Sequence, residues 1–278
     1  MKFFKFSGSG NDFILIDQNI VPDFIPEKEI VIEMCARGTG IGADGFLYFL
    51  KSKENDFDMR YFNSDGSEGF LCANGARCAV KYAQFSKRIE QNAKFFCCGK
   101  KYTAKINEDN SVTINLNEPS EIELEIEIKF ENSSLRGSFI NTGTRHTVIN
   151  ITELNEVYNN RFNELENIPV DVLGKGIRNL PQFLPEGTNV NFIDIQNEVI
   201  RIRTFEKGVE NETLSCGTGI TAAAIISFLK GNVKPPVTII PKSNDKLIVN
   251  FDYINSIIKN ISLTGPAKLI FTGEYNNK

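Results

Sequence analysis

Two thiols in this chain each stand directly ahead of a short glycine-containing turn and an apolar run. Cys72 opens "CANGARCAVKYAQF" and Cys216 opens "CGTGITAAAIISFLK". Both runs read as buried helices, which puts each sulfur at a helix N-terminus. Unpaired N–H groups and the positive end of the helix dipole meet there. Such a site lowers a thiol's pKa from about 8.5 and makes thiolate available near neutral pH. The same N–H groups bind carboxylates, and Gly75, Gly217 and Gly219 let a ligand approach the backbone closely. A thiolate beside a bound carboxylate is placed to remove the proton on the neighbouring carbon. A second thiol on the opposite face returns one. The N–H donors stabilise the charge that develops on the carboxylate. The chemistry that fits is inversion at a carbon, with no cofactor or metal required.

The elements ahead of the two thiols repeat as well. "RYFNSDGSEGFLCANG" and "RTFEKGVENETLSCGTG" each place Arg-x-Phe at the end of a strand, then a polar turn, then the cysteine and x-x-Gly. Arg60 precedes Cys72 by 12 residues and Arg203 precedes Cys216 by 13. The order of features predicts two similar halves, each presenting one thiol.

The bulk properties are those of an ordinary globular protein. The chain has 278 residues, 41% hydrophobic and 24% charged, with net charge −4. That length accommodates two domains. No basic run points to nucleic acid. No apolar run approaches the ~20 residues of a membrane span. The start, "MKFFKFSGSGNDFILID", carries no long apolar segment followed by a cleavage site, so a cytoplasmic protein is expected. Six cysteines, at 35, 72, 78, 97, 98 and 216, have no zinc-type spacing, and His146 is the sole histidine. Cys35, Cys78, Cys97 and Cys98 are expected to be buried apolar residues. "GSGNDF" lacks the third glycine and following helix of a dinucleotide fingerprint.

Strands are expected at "FFKFSG", "DFILID", "DGFLYFL", "FDMRYFN", "TVINI", "NVNFIDI", "VIRIRTF", "VTIIP", "KLIVNF" and "NISLTG", from clustered β-branched and aromatic residues between turns. "EIELEIEIKF" alternates as a strand with one solvated face. "YTAKINEDNSVTINL" reads as a hairpin. "EKEIVIEMCARG" reads as a helix closed by Gly38. Junctions are expected near 118–120 and 131–137.

The segments "SGSGNDFILID", "GIGADGFLYF", "FNSDGSEGFLCANGARC", "NTGTRHTV", "EGTNVNFI" and "RTFEKGVENETLSCGTG", in this order across most of the chain, resemble the diaminopimelate epimerase family. The resemblance implies an α+β fold of two pseudo-symmetric domains, each a mixed β-barrel-like sheet wrapped on a central helix, with the site in the cleft between them. The expected domains are 1–118, completed by 266–278, and 119–265. The implied activity is interconversion of LL- and meso-diaminopimelate without pyridoxal phosphate or metal, on the lysine and peptidoglycan route, by a homodimer.

Carried over position by position, Cys72 and Cys216 are the acid/base pair, with His146 assisting Cys72 and Glu206 assisting Cys216. Asn11, Asn63, Asn74 and Asn189 match substrate-binding asparagines, and Gly217 and Thr218 match the backbone donors to the reacting carboxylate. Three positions depart from the commoner pattern. Ala73 replaces a glycine, Thr144-Arg145 replaces Asn-Pro, and Lys207 replaces an arginine. The last two touch the expected grip on the distal carboxylate, and lysine does not reproduce arginine's planar fork.

Without the resemblance, His146 reads as a satisfied core residue, Glu206 as a solvated charge and the asparagines as turn formers. Three competing functions follow. The first is a racemase of the same fold acting on another amino acid. The second is a thiol redox enzyme using Cys72 with Cys78 or Cys216. The third is a binding module, which has no use for paired thiols.

Overall fold

The computed structural model describes residues 1–130 and 133–276. The chain divides into two compact units, one formed by Met1–Asn115 with the C-terminal segment from Thr264, the other by Leu116–Leu263.

The first unit contains β1 (Lys2–Gly8), β2 (Asn11–Asp17), α1 (Lys28–Cys35), β3 (Gly45–Leu50), β4 (Phe57–Asn63), α2 (Ala73–Phe85), β5 (Asn92–Cys97), β6 (Lys100–Ile106) and β7 (Val112–Asn115). The second contains β8 (Ser120–Phe130), β9 (Ser133–Asn141), β10 (Arg145–Asn150), α3 (Ile151–Val157), α4 (Val170–Arg178), β11 (Asn189–Gln196), β12 (Val199–Glu206), β13 (Asn211–Thr213), α5 (Gly217–Leu229), β14 (Val237–Pro241) and β15 (Leu247–Ile254). Strand β16 (Ile257–Gly265) begins in the second unit and its last two residues belong to the first, as does β17 (Lys268–Glu274).

Strand pairing repeats between the units. In the first, β17–β1 and β1–β2 are antiparallel, β2–β3 parallel, β3–β4 antiparallel, β4–β5 parallel and β5–β6 antiparallel. In the second, β8–β9 and β9–β10 are antiparallel, β10–β11 parallel, β11–β12 antiparallel, β12–β14 parallel and β14–β15 antiparallel. Both parallel steps need crossover connections. The second crossover of each unit is the helix that follows the thiol.

Those two helices are the centres of their sheets. Helix α2 packs against β1, β2, β3, β4, β6, β7 and β17, and α5 packs against β9, β10, β11, β12, β14 and β15. A helix surrounded by strands buries most of its surface and is largely apolar. Accordingly Ala76, Cys78, Ala79 and Ala83 in α2, and Ile220, Ala222, Ala223, Ala224 and Ile225 in α5, are completely buried. Alanine lets the strands close on the helix. A second apolar layer lies outside each sheet. Val31 and Met34 of α1 pack with Phe46 and Phe62. Leu173 and Ile177 of α4 pack with Phe130, Phe192 and Phe205.

The local structure departs from the sequence expectations in six places. Helix α1 ends at Cys35 rather than at Gly38. Ala36 leaves the helix, and the N–H groups of Ile41 and Gly42 take the Met34 carbonyl while Ala43 takes that of Cys35. The β10 strand stops at Asn150, which caps α3 in a capping box with Glu153. Its Asn-x-x-Glu spacing is a legible signal. Helix α4 escapes notice because Gly174 and Gly176 lower its propensity. Both are required by close packing, since a Cβ would lie 2.3 Å from Phe205 and 2.2 Å from Phe130. Strand β8 is exposed on both faces over its first six residues. Its register shifts twice, with positive φ at Glu121 and Glu125. The junction expected at 131–137 lies within the β8–β9 hairpin, with residues 131 and 132 outside the described range. Cys98 is exposed at the tight β5–β6 turn, whereas Cys35, Cys78 and Cys97 are buried.

Candidate active site

In each unit a bidentate arginine–glutamate clasp fixes the segment leading to the thiol. In the first, Arg60 Nε and Nη2 each donate to Glu68 at 2.7 Å. In the second, Arg203 Nε and Nη2 donate to Glu212 at 2.6 and 2.8 Å. Glu68 pairs with Phe62, and Glu212 pairs with Phe205. Each glutamate stands four residues before its cysteine, and each arginine three residues before the last residue of its strand, Asn63 or Glu206. One clasp thus sets the strand end and the thiol-bearing turn together. The second is the more deeply held. Lys242 also donates to Glu212, and Arg203 Nη1 donates to the carbonyls of Leu165, Glu166 and Ile168.

Cys72 is the N-cap of α2, and its Sγ accepts from Gly75 N–H at 3.5 Å. Ala73, in the first turn, is buried. Asn74, also buried, donates Nδ2–H to Asn11 Oδ1 at 2.7 Å and accepts from the buried Arg77 at 2.8 Å. Asn11 in turn donates to Asp44. Asp12 N–H donates to the Asp44 carboxylate and Asp44 N–H to that of Asp12, and Arg37 bridges both carboxylates. Burial alone would raise the Asp12 carboxyl, but Arg37 and Lys5 outweigh it and hold Asp12 down at about 2. The Ser9–Gly10 turn approaches α2 so closely that a Cβ on Gly8 would lie 2.8 Å from the Asn74 carbonyl. Asn63 closes the turn at the end of β4, accepting from Tyr61 Oη at 2.9 Å and donating to Ser67 Oγ at 3.1 Å. The structure therefore brings Cys72, Ala73, Asn74 and Asn11 together around one helix end.

Cys216 is the N-cap of α5 and is buried. Its Sγ lies 3.4 Å from Thr218 Oγ1. Thr218 Oγ1 is 3.0 Å from Thr144 Oγ1, and His146 Nε2 is 2.9 Å from both hydroxyls. Gly217 and Thr218 supply the first-turn N–H groups of α5. Asn189 donates to the Arg145 carbonyl and accepts from Lys207 N–H at 2.8 Å, tying β10 to the turn after Glu206. The Lys207 side chain is exposed, and Arg145 is engaged by Glu186 and Glu121. Thus His146, Thr144, Thr218, Cys216, Asn189 and the Lys207 backbone belong to one connected set, with Glu206 at its edge on β12; within this unit the ring expected to assist Cys72 reaches instead the hydroxyls beside Cys216.

One member of this set was not anticipated. Asn191 is completely buried and lies 3.1 Å from His146 Nδ1. It stands in a run, Asn189-Val190-Asn191, whose two asparagines share one face of β11. Two asparagines on a strand face otherwise made of Ile193 and Ile195 are the only local signal for it.

Burial pushes the His146 imidazole down to about 3. Between that value and the ordinary 6.5, the unfolded chain binds a proton that the folded chain does not, so stability falls as pH drops through this window and is fully present above it. At pH 4.5 this amounts to roughly 2–3 kcal/mol, at 1.36 kcal/mol per unit. Urea unfolding of the wild type should therefore lose about that much more stability between pH 7 and 4.5 than His146→Gln does. Equal losses would show that the ring is not held neutral. Burial likewise pushes the Cys35 thiol up to about 12 and raises those of Cys78 and Cys97, which makes them unreactive.

Among the described residues no group of three histidine, cysteine or acidic side chains is placed to hold a metal, and no helix is long and apolar enough to cross a membrane.

The sequence matches the profile of the diaminopimelate epimerase family over residues 3–122 and 138–270. It is 37% identical over 290 residues to a diaminopimelate epimerase of Aquifex aeolicus, spanning 100% of this chain and 99% of the relative. It is also 37% identical over 271 residues to one of Chlorobaculum tepidum, at 96% and 98%. Among solved structures, the fold is similar to that of a probable proline racemase from Agrobacterium radiobacter. That match has a TM-score of 0.72 and 13% identity and spans 100% of this chain and 93% of the other. A PhzF-family protein of Bacillus anthracis aligns with a TM-score of 0.70 and 14% identity, at 100% and 99%. These structural likenesses carry the α+β fold.

Proposed function

Since the chain belongs to the diaminopimelate epimerase family and is an isomerase, we propose that it converts LL-diaminopimelate to the meso form by two thiol bases. Cys72 and Cys216 serve opposite faces of one α-carbon: one, as thiolate, takes the proton, and the other, as thiol, delivers a new one. The first-turn N–H groups of Ala73 and Asn74 and of Gly217 and Thr218 stabilise the enediolate-like carboxylate. Glu206 and His146 support the proton transfers. Asn11, Asn63, Asn74, Asn189, Thr144 and Lys207 hold the amino-acid ends. The reaction needs no cofactor. A product of this kind supplies lysine and peptidoglycan precursors, and a cytoplasmic homodimer is the form expected of it. We take each unit as one epimerase domain contributing one base.

The observation that carries this reading is the repeated unit itself: a thiol as N-cap of a buried central helix, fixed by an arginine–glutamate clasp four residues upstream, present once in each unit. A redox enzyme has no need of the second copy. The test is a panel of substrates. Loss of optical rotation should be fast with LL-diaminopimelate and slow with L-proline, hydroxyproline and amino acids without a distal carboxylate. Equal rates would point to a different amino-acid racemase.

The distal carboxylate gives a further expectation. A hydrogen bond to a charged group is worth about 1.5–3 kcal/mol. Lys207→Ala should then raise KM for diaminopimelate roughly ten- to hundredfold and leave a substrate without that carboxylate unaffected. An unchanged KM would remove Lys207 from the grip.

A further inference from the structure

The polar chain that ends on Cys216 has a direction, and Asn191 sets it. Asn191 Nδ2 lies 3.0 Å from the Thr147 carbonyl, which only accepts, so that end of the amide is the NH2. Its Oδ1 accepts from Thr204 Oγ1 at 3.0 Å. The same NH2 is 3.1 Å from His146 Nδ1, so Nδ1 must be the acceptor. The ring proton is therefore on Nε2, which faces Thr144 and Thr218 as a donor. It cannot take a proton from either hydroxyl. With Nε2 donating and Asn189 Nδ2 also directed at Thr144 Oγ1, the arrangement that satisfies each donor runs from Thr144 to Thr218 and from Thr218 to the sulfur of Cys216.

We infer that Asn191 is a positioning residue that locks His146 as an Nε2–H donor, the head of a hydroxyl chain that donates to Cys216 Sγ and favours its thiolate. His146 is then an electrostatic support and not a proton acceptor. Space for the arrangement is built into α5. A Cβ on Gly219 would lie 2.5 Å from Asn191 Oδ1 and 3.3 Å from His146 Cε1, so only glycine lets the helix lie against this pair. A hydrogen bond donated to a charged acceptor favours the charged form.

The link to catalysis rests on the reading of Cys216 as a base, whereas the tautomer does not. His146 is the only histidine, so the imidazole nitrogens of ¹⁵N-labelled protein give one assignable pair of NMR signals. At neutral pH the expected spectrum shows a protonated Nε2 and an unprotonated Nδ1. In Asn191→Asp the new carboxylate accepts from Nδ1, so the spectrum should change to a ring protonated there. A wild-type ring protonated on Nδ1, or on both nitrogens, overturns the inference. The chain itself is read by alkylation with iodoacetamide, with Cys72 as internal control. Thr218→Val should slow modification of Cys216 about tenfold and leave Cys72 unchanged, and equal rates at Cys216 overturn the link from ring to sulfur. Should Asn191→Asp not fold, the wild-type spectrum and the Thr218 variant decide the matter. A protonated Nε2 in a protein without epimerase activity would refute the proposed function alone. Epimerase activity with a protonated Nδ1 would refute this inference alone.

Discussion

Alanine at Cys72 or at Cys216 is expected to lower diaminopimelate epimerisation by about 10³-fold or more, and alanine at both should be little worse than at one. A positioned general acid or base contributes roughly 10²–10⁴-fold, and each reaction direction needs one thiol on each face, so either loss removes a complete step. Groups acting as a unit are not additive. The variants should remain folded. Cys216 makes no side-chain capping bond. The bond that Cys72 Sγ accepts from Gly75 N–H is long, and losing a helix cap typically costs about 1 kcal/mol. Circular dichroism and urea unfolding separate the two effects. A single variant that keeps its activity within tenfold, with its fold intact, would contradict the two-base account.

The largest stability effect is expected at Arg203. Its side chain is 16% exposed and that of its partner Glu212 only 6%. Breaking a buried pair costs about 3–5 kcal/mol, and because Lys242 still pairs with Glu212 the lower end of that range is expected from the charge alone. Arg203→Ala also strips the donor from three carbonyls. The corresponding Arg60→Ala acts on a pair 42% and 46% exposed, where an ion pair is worth roughly 1 kcal/mol or less. Urea midpoints should separate the two variants clearly, with Arg203→Ala far lower. Losses of equal size would show that the depth of the two clasps does not govern their strength.

The two thiol turns were legible because everything that defines them is local: a cysteine in the N-cap position, x-x-Gly, then a run rich in alanine and other apolar residues. The repeat was legible through Arg60 and Arg203. Their glutamate partners were not, since Glu68 and Glu212 are matched only once the strand folds back on itself. Asn191 was hidden for a similar reason. Its place beside His146 follows from the parallel register of β10 and β11, in which Val148 lies opposite Asn191, and no sequence pattern states which strands pair in parallel. Helix α4 was missed because its glycines answer to Phe205 and Phe130, so tertiary contact overrides local propensity there. The alternation of "EIELEIEIKF" predicted a plain half-buried strand, but two register shifts turn its first half to solvent on both sides. Cys98 looked like its buried neighbour Cys97 until the tight β5–β6 turn, with Cys98 at positive φ, placed it outside. For the expected domains and the site residues, the motif order supplied positions, and the geometry within each unit now supplies partners.

The most direct measurement is the fate of solvent hydrogen when LL-diaminopimelate is converted in D₂O. Two single-proton bases take the substrate hydrogen on one face and deliver a solvent-derived one on the other. Early in the reaction the meso product should therefore carry one deuterium at one α-carbon, while recovered LL substrate remains unlabelled. Meso product without deuterium, or LL substrate that gains deuterium as fast as product forms, would contradict a pair of thiol bases and require one base acting on both faces.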